Sequence, residues 1–442
     1  ISTYVYDAET PGADDDLDYV AQYRGNMEYV EAKYLYEGPE KEEKIVRAIE
    51  YNSSGFIKAI NDYLYNLPLT APGDILSKGD GKSNTLDGVI SYGSQALTVV
   101  EAAFLGQKYV KRESYYDGRE GRERLAYTFT RSRDASASLI KRTDYSYSEN
   151  GDDGLDSITT YKLNANDDYD LTKGVISSKS YYVGYEGEEI LNKTCSYAYD
   201  GVTATVKETT FYNYAELNPD GIETGNALMA MGLDPLEQTQ SRMVTSESYK
   251  GELTAPDLTK LISRTFYVGA KGDEIANYTH NIVLGTSTVK TTTFYYYNGQ
   301  KASVASSDDA MTSSEMYRGE WVDVDSAYSA NALISRTFYE ARFGKGEEIA
   351  KYTHSVMVSG SDTKTETIKT TTFYMYNDHL ATDPLINPED AMNVSEIYRG
   401  KLTTPDEAKL MSKTSYVGSK GEEQSDYTIK YANSSIVDYT AY

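Results

Sequence analysis

Cysteine occurs once, at Cys195, in 442 residues. A lone thiol makes no intrachain disulfide and no CxxC metal site, which excludes a disulfide-stapled scaffold and the common zinc modules. Histidine is almost as scarce, with three. His280 and His354 fall at the same point of a repeated phrase, Tyr-Thr-His, with no nucleophile or base beside them. His379 lies in a loop after a strand, so all three read as repeat-borne surface positions rather than a catalyst. There is no Gly-rich phosphate loop and no H-E-x-x-H, and no enzyme is expected. No apolar run is long enough to span a bilayer. Basic charge is short as well, with Lys and Arg at 43 against 68 Asp and Glu and a net charge of −25. Nucleic-acid binding needs clustered cations to displace counterions, so no nucleic-acid partner is expected. Tryptophan appears once and phenylalanine nine times.

Tyrosine fills the gap, at 44. Its ring is apolar and its tip polar, which suits surfaces that are packed and wet together. A sheet without a thick oily core is then held by Tyr and Thr ladders across strands. The phrase Thr288-Val289-Lys290-Thr291-Thr292-Thr293-Phe294-Tyr295-Tyr296-Tyr297-Asn298 is almost wholly β-branched and aromatic, and predicts a strand closed by Asn298-Gly299. Near-copies run Ile368 to Asn377 and Val206 to Tyr214, with a fainter echo from Ile57 to Tyr65.

Repetition decides the fold class. One unit is clearest at 252–319: a polar linker, strand A from Leu261 to Val268, a turn with Gly269 and Gly272, strand B from Ile275 to Val283, strand C as above, and strand D from Met311 to Tyr317. The closers are Tyr23-Arg24-Gly25, Ser91-Tyr92-Gly93, Thr172-Lys173-Gly174, Tyr249-Lys250-Gly251, Tyr317-Arg318-Gly319 and Tyr398-Arg399-Gly400, giving periods of 68, 81, 77, 68 and 81 residues. The division that follows is a partial repeat at 1–25, repeats at 26–93, 94–174, 175–251, 252–319 and 320–400, and a partial repeat at 401–442. The expected fold is all-β: tandem repeats of about four antiparallel strands stacked into an extended array. Glu42 to Ala59 has a helix-like spacing of Ile45, Val46 and Ile49, but its alignment with strands B and C favours strands. Short helical turns are expected before strand D, at Asp308 to Met311 and Pro388 to Met392, and from Asn226 to Met231. The Glu pairs after the Gly-rich turns read as exposed, solubilising tips.

Within strand C, Val289, Thr291, Thr293, Tyr295 and Tyr297 point one way and Lys290, Thr292, Phe294 and Tyr296 the other. Aromatics on both faces suggest that one face packs inside the unit and the other against a neighbouring sheet or subunit. Ile1 to Tyr6 matches the tail of strand C, placing Tyr4 and Tyr6 at the positions of Tyr295 and Tyr297. Ile436 to Tyr442 matches its start. The opening residues lack an initiator Met and a signal peptide, as in a processed chain or an excerpt of a longer one. Both ends are therefore expected to present unfinished β edges, which template another strand. Candidate assembly residues are Tyr4, Tyr6, Tyr439, Tyr442, Tyr295, Tyr297, Tyr374 and Tyr376, with the chain itself as partner. Acidic turns at Asp14 to Asp16, Asn150 to Asp156 and Asn164 to Asp170 suit calcium in ligand type, but none has EF-hand spacing. Solvated turns are the default there, and no cofactor is expected. Five Asn-x-Ser/Thr triplets, at Asn52, Asn192, Asn277, Asn393 and Asn433, match the glycosylation pattern, which a Ser/Thr-rich chain also produces by chance.

Tyr295-Tyr296-Tyr297-Asn298-Gly299, Tyr197-Ala198-Tyr199-Asp200-Gly201 and Tyr116-Asp117-Gly118-Arg119 run Tyr-rich strands into glycine turns. In this the chain loosely resembles the YD/RHS-type repeats of large bacterial surface proteins, although the unit here is several times longer. The whole phrase, with its Lys-Gly-Glu-Glu turn and Lys-Thr-Thr-Thr-Phe-Tyr strand, resembles giant Tyr-rich repetitive surface proteins of uncultivated bacteria. That resemblance implies no activity and no catalytic residues. The composition suggests an extracellular or cell-surface setting. The expected function is a structural subunit of an extracellular filament or surface layer, joined head to tail by strand pairing. The alternatives are an adhesin for glycans or a protein partner, and a YD-like shell around a toxin.

Overall fold

The structure, a computed structural model, describes residues 2–6, 17–24, 29–37, 44–51, 57–65, 86–92, 110–117, 122–131, 139–148, 154–163, 174–199, 203–217, 223–230, 240–360, 364–386, 388, 390–418, 420, 423–432 and 434–442. The chain is all-β, built from tandem repeats of about four antiparallel strands. Residues 1–25 hold β1 (Ser2–Tyr6) and β2 (Leu17–Arg24). Then come β3 (Tyr29–Glu37), β4 (Lys44–Tyr51), β5 (Ile57–Tyr65) and β6 (Leu86–Tyr92). The next four are β7 (Val110–Asp117), β8 (Arg124–Arg131), β9 (Leu139–Tyr147) and β10 (Leu155–Lys162). They are followed by β11 (Val175–Val183), β12 (Ile190–Tyr199), β13 (Ala204–Leu217), β14 (Glu223–Met229) and β15 (Met243–Lys250). The best-formed repeat has β16 (Leu261–Val268), β17 (Ile275–Ile282), β18 (Val289–Tyr297), the short β19 (Gln300–Lys301) and β20 (Met311–Arg318). Its successor has helix α1 (Val324–Ser329), β21 (Leu333–Glu340), β22 (Ile349–Ser359), β23 (Thr365–Tyr376), β24 (His379–Leu380) and β25 (Met392–Arg399). Last are β26 (Leu410–Val417), β27 (Gln424–Ala432) and β28 (Ser435–Ala441).

Two compact units divide the chain, Ile1–Ser180 with Tyr197–Thr205 and Tyr181–Ser196 with Val206–Tyr442. In the first, β1 to β10 form an antiparallel meander in which each strand pairs with its sequence neighbours. Its core is Ile49, Ile60, Leu64, Tyr115 and Phe129. In the second, β13 pairs with β15 and the same meander runs on through β18, β20, β23 and β25 to β28. The hairpin strands β14, β19 and β24 hang on the ends of β13, β18 and β23.

As the repeat alignment expects, the 42–59 segment forms β4 and β5, joined through residues outside those described, because pairing with β3 and β6 consumes its backbone groups. Other local expectations change. Asn226 is in strand β14, not a helical turn, because β13 is long enough to pair with it. Asp308 and Asp309 form a turn closed by Asp309 N–H donating to Ser306, again without a helix. The segment before Met392 is only partly described. In the 94–174 repeat, strand D ends on Tyr161-Lys162. Tyr161 pairs with Arg142 of strand C as Tyr317 pairs with Thr292, so register with strand C marks the end of strand D. Thr172 and Lys173 lie outside the described residues. The Glu tips also have a structural job: Glu274 accepts Met243 N–H at 2.8 Å and Gly272 N–H at 2.8 Å, and Glu348 does the same for Met311 and Gly346. Each such carboxylate ties a turn between strands A and B to the start of the neighbouring strand D.

Register breaks recur at fixed places. Strand C slips against strand D immediately before its last tyrosine, at Tyr65, Tyr214, Tyr297 and Tyr376. Such bulges increase local twist. The A–B turn depends on glycine for a second reason: Gly269 has φ +117°, and a Cβ there would sit 2.5 Å from the Asp273 carbonyl oxygen. Gly272, at φ +84°, has open space around it. Gly269→Ala should therefore destabilise the repeat by about 1–3 kcal/mol, while Gly272→Asn should cost less than about 1 kcal/mol. Denaturant unfolding of the two variants checks the difference.

Candidate functional site

The two faces of the sheet in the second unit carry different chemistry. One face is an aromatic ladder. Phe266 stacks on Tyr278 at 4.5 Å, Tyr278 meets Phe294 at 5.5 Å, and Phe294 meets Tyr317 edge-on at 5.8 Å. Phe338, Tyr352, Phe373 and Tyr398 repeat the series. Set into this ladder is a buried carboxylate. Glu315 accepts Tyr317 Oη–H at 2.6 Å, Tyr296 Oη–H at 2.9 Å and Arg336 Nε–H at 2.5 Å. Glu247 stands likewise between Tyr249 and Arg264, and Glu396 between Tyr398 and Lys413. Glu and Tyr two apart share a strand face, so the motif Glu-x-Tyr-Arg/Lys-Gly carries both groups. It is visible in the sequence as Glu247 to Gly251, Glu315 to Gly319 and Glu396 to Gly400. The middle threonine of strand C completes the arrangement. Thr292 Oγ1 donates to Gly319 O at 2.8 Å and accepts Trp321 N–H at 3.1 Å, clamping the linker onto the face. Thr209 and Thr371 do the same.

The other face is a hydroxyl surface crossed by a stripe of half-buried tyrosines: Tyr212, Tyr267, Tyr295, Tyr339, Tyr374 and Tyr416. Strands C and A supply them in turn. Each hydroxyl pairs with Ser or Thr of the preceding strand, as in Tyr267 with Ser246 at 3.1 Å, Tyr295 with Thr279 at 3.0 Å and Tyr374 with Thr353 at 3.0 Å. Tyr339 pairs with Ser314 and Tyr416 with Ser395, both at 3.1 Å. Beneath run Thr–Thr contacts of 2.8 Å, Thr265 to Thr279, Thr337 to Thr353 and Thr414 to Thr428. Burial raises the hydroxyl pKa of Tyr212, Tyr267, Tyr295 and Tyr374, and the Ser/Thr partners offset part of that rise.

The candidate assembly residues separate into two groups. Tyr297 and Tyr376 are buried and bond inside their own repeats, donating to Ala276 O at 2.9 Å and Ala350 O at 3.0 Å. Tyr65, Tyr147 and Tyr214 fill the same station. Tyr295 and Tyr374 belong to the stripe. Tyr4, Tyr439 and Tyr442 are exposed, at 61%, 60% and 74%. Tyr439 stacks on Tyr427 at 5.6 Å, and the Tyr442 hydroxyl lies 3.4 Å from Thr428 Oγ1, the station of Tyr295. Tyr6 pairs through its backbone with Leu17, and its side chain is outside the described part.

His280 and His354 are buried, and Nε2 of each pairs with a linker carbonyl, Trp321 O at 2.9 Å and Leu402 O at 3.4 Å. The sequence suggests surface positions for these two. The linker instead folds over them. Asn192 is buried within β12, and Asn393 donates to Asp378 at 3.0 Å. Among the described residues no group of three or more His, Cys, Asp and Glu is placed to hold a metal. The acidic turns at 14–16 and 164–170 lie outside them, as does 150–153. No helix among the described residues is long and apolar enough to cross a membrane.

No protein family matches the chain, and no curated protein is similar to it. Solved structures give faint likenesses. The TcdB2-TccC3-Cdc42 structure has a TM-score of 0.14 at 10% identity, covering 100% of this chain and 23% of that one. TcdB2-TccC3 without its hypervariable C-terminal region gives 0.15 at 10%, over 94% and 22%. A porin-like protein from Bacteroides uniformis gives 0.18 at 11%, over 75% and 96%. The chain thus spans under a quarter of the first two. Scores this low carry no argument about fold or function.

Removing one partner of a buried, bonded charge group costs about 3–5 kcal/mol. Glu315→Ala should therefore destabilise the second unit by about that much, and Tyr317→Phe by about 1–2 kcal/mol, measured by urea unfolding. Alkaline pH gives a second check. A free tyrosine titrates near about 10. Burial pushes Tyr65 up to about 12. Burial, then the bond to a neighbouring Glu, raises Tyr249, Tyr317 and Tyr398. Unfolded chains lose these protons first, so stability is intact below about pH 10 and falls from there through about pH 12. Unfolding midpoints that stay flat across that window would contradict the assignment.

Proposed function

We propose that this chain is a structural subunit of an extracellular filament or cell-surface layer, extended head to tail through β-strand pairing between copies. The observation that carries the reading is the repetition of the same hydrogen-bond stations from strand to strand. A further strand with the same phrase continues the pattern without new chemistry. Strand β28 presents this opportunity most directly. It pairs with β27 on one side and has no partner on the other among the described residues. Ile436, Val437 and Tyr439 are 65%, 61% and 60% exposed along it. An edge of this kind adds a strand readily unless blocked, and a contact between unlike ends of identical subunits propagates unless it closes into a ring. The tyrosine stripe offers a second contact, where rings with satisfied hydroxyls suit sheet-on-sheet stacking at little conformational cost. The reading assigns no catalytic residue.

Negative-stain microscopy at high protein concentration tests it. Filaments or sheets are expected, and Val437→Pro, at the residue skipped in the β27–β28 register, should shorten or abolish them. Dispersed monomers at every concentration would end the proposal.

A further inference from the structure

Linker length differs between the 252–319 and 320–400 repeats, and the difference uncovers a cleft. In the 320–400 repeat, α1 lies over the ladder face. Val324 and Ala327 bury themselves against Leu333, Val356 and Val358, and Tyr328 and Ile368 pack beside them. Below them Arg336 reaches past Glu315 to Glu366, Nη1 to Oε2 at 3.4 Å, and Glu366 also accepts the Tyr328 hydroxyl at 2.9 Å. Val324 and Ala327, with the Tyr328–Glu366 pair beside them, seal the site.

The 252–319 repeat has a similar floor, on which Leu261 is already covered while Ile282 and Val289 stay half-buried. Leu261, Ile282 and Val289 occupy the positions of Leu333, Val356 and Ile368, as the shared strand registers show. The linker has only a three-residue helical turn, Leu258–Lys260, in place of α1. Counted back from the equivalent Val289 and Ile368, Ser287 stands at the sequence position of Glu366, but in the turn after β17 rather than in a strand. The result is a cleft of about 380 Å³ with Leu258, Leu261, Ile282 and Val289 on its walls and Arg264 and Glu320 at its rim. Leu258 is 66% exposed and Leu284 46%, whereas Val358, the counterpart of Leu284, is 7% exposed. Arg264 holds Glu247 through Nε and Nη2. Its Nη1, the atom that binds Glu366 in the next repeat, has no carboxylate among the described residues.

We propose that this cleft binds a short acidic, aromatic peptide segment in trans. Such a segment supplies what α1 and Glu366 supply next door: apolar and aromatic side chains over Ile282 and Val289 and a carboxylate for Arg264 Nη1. The occupant's chemistry follows from the filled copy, and a guanidinium with a free edge recognises a carboxylate with directional, charge-assisted bonds. Burying an aromatic ring on an apolar floor adds the remaining affinity. The site is independent of strand-edge pairing, so it stands or falls apart from the assembly reading.

The test uses the full chain and a fluorescein-labelled synthetic peptide of residues 321–332, whose sequence holds Asp323, Asp325 and Tyr328. Fluorescence anisotropy should show saturable binding, in the weak range expected once the covalent tether of α1 is absent. Ser287→Glu places a competing carboxylate beside Arg264 on an exposed turn and should weaken binding roughly tenfold. A peptide with Tyr328→Ala should lose a similar factor. Both protein forms are checked for unchanged circular dichroism. Absence of saturable binding up to millimolar protein overturns the proposal. So does binding that ignores both substitutions, which would place the peptide elsewhere, and so does self-association removed by Ser287→Glu without any peptide binding.

Discussion

A carboxylate held between tyrosine hydroxyls and a basic side chain underlies the second unit. Glu247, Glu315 and Glu396 each sit on strand D, reach strand A through Arg or Lys, and take the hydroxyl of the tyrosine two residues on. Burying a charge is costly, and the cost is offset only when every lone pair finds a donor. That requirement fixes three things together: the register of D against A, the rotamer of the closing tyrosine, and the seat on which the linker lands. The threonine clamp then holds the linker in place. A sheet that lacks a thick apolar interior obtains its specificity in this way, from polar groups with one good arrangement.

The aromatic ladder adds stability that is less selective. Ring pairs at 4.5–5.8 Å run across strands A, B, C and D, each worth about 0.5–1.5 kcal/mol beyond area burial. Any large ring would supply much of this. Tyrosine is favoured over phenylalanine where the hydroxyl has a fixed acceptor, as at Tyr297 with Ala276 O. It is favoured again on the opposite face, where the stripe must tolerate water. One residue type thus serves a buried bond, a stacked pair and a wet surface, which accounts for its abundance.

Much of the architecture was legible in the sequence because strand C declares itself. Val289 to Tyr297 is unambiguous in propensity, and its copies set the period, so the all-β repeat and the strand order follow. The pairing of Tyr and Thr across strands was also legible. What was hidden depended on distance in three dimensions. Tyr297 and Tyr376 read as outward assembly residues, yet their alternation in sequence does not say whether a loop will cover them; Ala302 and Ala381 do so. Glu274 looked like a solvent tip because its acceptor role involves Met243, thirty-one residues earlier. His280 and His354 looked exposed because the linker that covers them has no periodicity of its own. A triplet of Glu, any residue and Tyr was the missed signal for the buried carboxylate.

Consecutive pairing has a consequence for how such a chain comes into being. Within each unit almost every partner of a strand is the next strand along, so the contacts that define a repeat are close in sequence. Ring closure over such short loops costs little entropy, and topologies of low contact order fold quickly. A hairpin can therefore set as soon as its two arms are available, with no distant segment to await. A polypeptide organised like this takes shape progressively, one hairpin after another along its length.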